Sequence, residues 1–95
     1  MEELMENKYI VTITYNFDTD YFVKKCPTRT SALNVLKNLL EKEIETVKSE
    51  CEYTPSVITF CDDDIILVYA EGYTTNDKDR SFLQEDCAFY RIFEI

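Results

Sequence analysis

The chain's two prolines, Pro27 and Pro55, bracket a stretch that holds neither proline nor glycine and changes its hydrophobic period. From Arg29 to about Ser49, Leu33, Leu36, Leu40, Val47 and Cys51 fall on one side at helical spacing, flanked by Ala32, Val35, Leu39 and Ile44. Thr28 stands where a helix N-cap belongs, and Pro55 bars continuation beyond CEYTP (51–55). At ~1.5 Å per residue such a helix is roughly 30 Å long, enough to cross a small sheet. Its apolar stripe requires a sheet face to cover it.

The flanking segments supply that sheet. KYIVTITYNF (8–17) sets Tyr9, Val11, Ile13, Tyr15 and Phe17 against Ile10, Thr12, Thr14 and Asn16, the period of a strand. After a polar turn at Asp18, Thr19 and Asp20 comes YFVKKC (21–26), whose adjacent Lys24 and Lys25 predict a place near a sheet edge. SVITFC (56–61), IILVYAEGY (65–73) and CAFYRIFEI (87–95) read as three further strands, rich in β-branched and aromatic residues. Residues 74–86 form a polar connection whose Phe82 and Leu83 are expected to tuck back onto the core.

The expected fold is therefore a single α+β domain over residues 1–95, with a flexible lead over 1–7. Its sheet has about five strands, antiparallel or mixed, in the order ββαβββ, with the long helix packed on one face. The second and third strands must point the same way, because one helix separates them. Either a right-handed crossover joins them, or the first and last strands keep them apart, leaving the sheet wholly antiparallel and the first strand central. The other face would carry Tyr and Phe side chains, a surface suited to a homodimer or another partner.

Charge narrows the partners. Nineteen acids against ten bases give a net charge of −9, which repels nucleic-acid backbones and anionic membranes and favours a basic protein partner. The longest apolar run, IILVYA (65–70), is far short of the ~20 residues that span a bilayer. MEELMENK (1–8) is acidic and has no apolar core of a secretory signal, so a cytoplasmic location is expected. Cys26, Cys51, Cys61 and Cys87 form no close pair of the kind structural zinc uses; free thiols, most of them small core or strand residues, are expected.

Several chemistries are missing. The chain has no histidine, which removes the commonest general base and every Ser–His or Cys–His dyad. One glycine, Gly72, cannot build a phosphate-cradling loop. Asp62, Asp63 and Asp64 invite a metal reading, yet an EF-hand count from Asp62 puts Ile66 and Leu67 at positions 5 and 6. A count from Asp77 puts Phe82 at position 6 and Ala88 at position 12. The tract reads instead as a turn between two strands. With glycine scarce, Asn and Asp are the next residues able to reach positive φ, and Asn16–Asp20, Asp62–Asp64 and Asn76–Asp79 are expected to serve that way. No catalytic residue, metal site or cofactor is assigned; the alternative reading is a carboxylate-dependent enzyme assisted by a divalent metal.

Topology sharpens the charge argument. If each element reverses the direction of the one before, a single edge gathers Asp18, Asp20, Glu50, Glu52, Asp77, Asp79, Glu85 and Asp86 against Lys48, Lys78 and Arg80. Eight acids against three bases leave −5, over half of the total, while Asp62–Asp64 fall on the opposite edge. A one-sided acidic rim suits the basic groove of a nucleic-acid-binding protein.

The order of KYIVTITYNFD, a helix opening T-x-x-x-A-L at Thr28 to Leu33, ECEYTP and a terminal YRIFEI resembles small acidic proteins of phages and conjugative elements of gut Firmicutes. That resemblance implies no particular activity. It implies a genetic setting in which small acidic proteins often act as inhibitors, among them anti-CRISPR and anti-restriction proteins.

Overall fold

A computed structural model describes residues 6–73 and 80–95. Its elements are β1 (Tyr9–Tyr15), β2 (Tyr21–Cys26), α1 (Arg29–Glu50), β3 (Ser56–Cys61), β4 (Asp64–Val68) and β5 (Cys87–Glu94), with a 3-10 turn at Ser81–Gln84. The strands form one sheet in the order β2-β1-β5-β4-β3, and every neighbouring pair is antiparallel. This is the expected ββαβββ domain, in its wholly antiparallel arrangement. β2, with Lys24 and Lys25, is an edge strand. The expected flexible lead over 1–7 lies mostly outside the described residues.

One expectation changes: the middle strand is β5, not β1. Composition explains the exchange. β5 buries Ala88, Tyr90 and Ile92 toward the helix and Cys87 toward the other face. β1 is uniformly apolar on one side only, with Thr12 and Thr14 beside Ile10 on its other side, which suits a place next to the edge.

Thr28 caps α1 as expected. Its Oγ1 accepts from the Ser31 N–H at 3.1 Å, and its own N–H donates to Ser31 Oγ at 3.2 Å, a reciprocal box that satisfies two otherwise orphaned donors. The buried side of the helix is Ala32, Leu36, Leu40 and Val47. The stripe is thus rotated from the expected line: Leu33 is half-buried, and Cys51 is an exposed C-cap whose N–H bonds the Val47 carbonyl at 2.8 Å. α1 covers β2, β1 and β5, and the main core joins it to Val11, Ile13, Leu67, Ala88 and Tyr90. Each large apolar side chain so buried contributes ~1.5–3 kcal/mol over its exposed state.

The opposite face has a second, smaller core of Ile58, Ile66, Val68, Phe82 and Cys87. Ala70, Tyr73 and the Ser81–Gln84 turn pack over this face, and Phe82 enters as the plug, 3% exposed, while Leu83 stays out in solvent. The Tyr- and Phe-bearing open face is corrected in two respects. Half of it is covered, and Tyr9, Tyr15, Tyr69 and Tyr90 belong to the helix side. What remains open carries Tyr21, Val23 and Phe93.

The turns also depart from expectation. Among the described residues, positive φ occurs at Glu52 (60°), Arg80 (55°) and Gly72 (97°), and at none of the Asp or Asn residues. Asp18 instead accepts the Asp20 N–H at 3.1 Å, a side-chain turn that needs no left-handed backbone. Asp62 and Asp63 link Cys61 to Asp64 as a two-residue hairpin, and an irregularity between Thr59 and Cys61 takes up the twist that a glycine-type turn would have supplied. All four cysteines are free, but only Cys26 and Cys87 are buried; Cys51 and Cys61 are exposed. Among the described residues no helix is long and apolar enough to cross a membrane.

Candidate functional site

Because β1 and β4 run opposite to β2, β3 and β5, one end of the sheet receives the β1–β2 turn, the C-terminus of α1 and the approach to β5. Asp18, Asp20, Glu50, Glu52, Glu85 and Asp86 therefore share that end, and all but the half-buried Glu85 are exposed. Asp77 and Asp79, expected beside them, lie outside the described residues, as does Lys78. Asn16 ties the end together. Its N–H donates to the Cys87 carbonyl at 3.1 Å, its Nδ2 to the Glu85 carbonyl at 2.8 Å, and its Oδ1 accepts the Cys87 N–H at 2.8 Å.

The carboxylates here are largely uncompensated. Glu85 accepts from the Tyr73 hydroxyl at 3.3 Å, and Lys48 is drawn to Glu45 at 3.8 Å. Among the described residues the other ion pairs are Arg29–Asp63 and Arg91–Asp64, so none involves the six acids of this end. Arg80, expected at the rim, is carried onto the open face, where it lines a groove with Asp64 and Arg91. The negative field reaches both flanks. The Tyr15 phenol is pushed up by burial and then by Glu43, Asp18 and Asp20. The Tyr53 phenol is pushed up by burial and then by Cys51, Asp86 and Glu85.

At the far end, Asp62–Asp64 make the expected turn, and their carboxylates diverge. Asp63 lies 3.8 Å from Arg29 and accepts the Cys61 thiol at 2.9 Å. That thiol bond, with Arg29, holds the Asp63 carboxyl below its usual range and pushes the Cys61 thiol up. Asp64 turns to Arg91, whose Nε is 3.5 Å from Oδ1; the contact is an ion pair without a hydrogen bond, which leaves that buried oxygen unsatisfied. Among the described residues no three His, Cys, Asp or Glu side chains gather as a metal-ligand group. Arg91 also lies over the Phe89 ring, 5.3 Å from its centroid, in a groove of about 370 Å³ that includes Phe60 and Phe82.

A third constellation went unread in the sequence. Glu43 projects from α1 toward the sheet, where its Oε1 accepts the Tyr69 hydroxyl at 3.3 Å. Phe17 stacks edge-on against Tyr69 (5.7 Å, 85°) and tilted against Tyr15 (5.4 Å). Burial first and Glu43 second push the phenols of Tyr69 and Tyr90 well up. The signal was present: Glu43 stands three residues after Leu40 and four before Val47, on the buried stripe itself. Reading the stripe through Leu33 and Cys51 hid it.

Fold and site together define a small antiparallel α+β domain with one acidic end. No family model, curated protein or solved structure matches the chain.

Proposed function

We propose that this is a non-catalytic binding module whose acidic end meets a basic, nucleic-acid-binding protein, as an inhibitor carried by a mobile element would. The observation that supports the reading is the gathering of six acids at one sheet end with no ion pair to any of them among the described residues. Exposed charges of one sign steer a partner of the other sign, and salt screens that attraction over about 8 Å at physiological ionic strength.

The test is capture from host lysate by the wild type and by a variant carrying D18N, D20N, E50Q, E52Q and D86N, at low and high salt. Asparagine at position 18 retains the oxygen that accepts the Asp20 N–H. The expected result is a nucleic-acid-binding protein held by the wild type at low salt and released by salt or by the variant. A partner retained equally in all four conditions refutes the acidic end as the contact.

A further inference from the structure

Between α1 and the sheet, next to the acidic end, lies a half-open cleft of about 240 Å³. Ile13, Phe22 and Leu39 form its apolar wall, and Tyr15, Tyr90 and Glu43 supply its polar groups. Lys42 and Thr46, both exposed, stand at its mouth, and the Thr46 hydroxyl is occupied by the Lys42 carbonyl at 3.0 Å.

Tyr90 is the informative residue. The residue is 2% exposed and its hydroxyl makes no hydrogen bond among the described residues, but that oxygen is not sealed in: among the described residues the enclosed side-chain oxygen without a partner is Asp64 Oδ1, so the Tyr90 hydroxyl still meets the space of the cleft. A hydroxyl on the inner wall of a cleft with no protein partner keeps both its donor and its lone pairs for whatever enters. Glu43 is similarly underused. Its charge acts on the hydroxyls of Tyr15, Tyr69 and Tyr90, but only Tyr69 reaches it, and only through Oε1. The second carboxylate oxygen and the hydroxyl oxygens of Tyr15 and Tyr90 remain as acceptors around one space.

We propose that this cleft binds a small organic cation, an alkylammonium group whose nitrogen sits among Glu43, Tyr15 and Tyr90 while its carbons rest on Ile13, Phe22 and Leu39. An anion would meet the Glu43 carboxylate, and a neutral apolar molecule would leave the three acceptors unpaired. The phenols stay un-ionised, because burial disfavours phenolate, so they offer lone pairs without adding charge. Lys42, the one cation of the lining, sits on a long flexible stem in solvent and is free to swing aside.

The test follows amide chemical shifts of the full chain during titration with n-butylammonium chloride, against n-butanol and sodium butyrate at matched ionic strength. Butylammonium is expected to give saturable shifts at Ile13, Leu39, Glu43 and Tyr90, and the other two none. Glu43→Gln should weaken binding about tenfold, the worth of one charge-assisted hydrogen bond. Tyr90→Phe, which keeps the ring, should weaken it severalfold and serves alone if Glu43→Gln fails to fold. A lysine-containing peptide run alongside separates the two sources of the group: tighter binding than butylammonium assigns the site to a partner's lysine, weaker binding to a free amine. Equal binding of butanol, or shifts spread over Asp18, Asp20 and Asp86 that persist in Glu43→Gln, would overturn the assignment.

Discussion

Leu36 sits at zero exposure in the middle of α1, on the side that meets β1 and β5, whereas Leu33, one turn earlier, is only half-buried. Truncating Leu36 to alanine removes three carbons from a site that cannot refill with water. The cost comprises the lost transfer energy and a cavity term, together ~3–4 kcal/mol for a site this enclosed. A domain of this length has a total stability of ~5–14 kcal/mol. Leu36→Ala should therefore remove about a fifth or more of it and lower Tm by roughly 12–30 °C. Leu33→Ala should cost only about 1 kcal/mol, since much of that side chain already touches solvent. Urea unfolding followed by far-ultraviolet circular dichroism measures both, because the chain has no tryptophan to report by fluorescence. Equal costs, or a larger one at Leu33, would show that α1 presents the other stripe to the sheet.

Replacing Thr28 by alanine removes the Oγ1 that accepts the Ser31 N–H, leaves the bond from the residue-28 N–H to Ser31 Oγ, and should cost ~1 kcal/mol in the same assay. A thiol reagent should modify Cys51 and Cys61 in the native protein and reach Cys26 and Cys87 only on unfolding, the Cys87 thiol being held up to about 11 by burial. Because the Asp63 carboxylate raises the Cys61 thiol, Asp63→Asn should speed Cys61 labelling at neutral pH, and mass spectrometry of the labelled peptides checks it. The phenols of Tyr69 and Tyr90 are raised in the fold, so their contribution to stability is full below pH ~10, the unfolded value, and is lost as pH climbs above it. Their phenolate absorbance should grow together with loss of circular dichroism, and Tyr90→Phe should move that alkaline transition to higher pH. Gradual ionisation ahead of unfolding would contradict the burial. Magnesium, manganese and calcium should each give diffuse, weak amide shifts over the acidic end; a tight local response at one cluster would favour the metal-assisted alternative.

What could be read from the sequence was what neighbouring residues decide. Thr28, the two prolines and the uninterrupted run between them fixed α1 to within a residue or two, and paired lysines marked β2 as an edge. The acidic end followed from counting reversals, since antiparallel neighbours place Asp18, Glu50 and Glu85 together whichever strand is central. Strand order did not follow, because it depends on which strand can be covered on both faces at once. Arg80 was misplaced for a related reason: Phe82 finds its burial on the open face and draws Arg80, two residues before it, along. The turns at Asn16–Asp20 and Asp62–Asp64 were located correctly but explained wrongly, because an aspartate that accepts a nearby backbone N–H needs no positive φ; the third tract, Asn76–Asp79, lies outside the described residues.

β5, latest of the strands to leave the ribosome, is also the one that joins the two hairpins. Until it arrives, β1–β2 and β3–β4 are separate ribbons, each with a bare inner border ready to stitch onto another nascent copy. A stop codon anywhere before residue 87 should consequently yield insoluble aggregate rather than a smaller working domain.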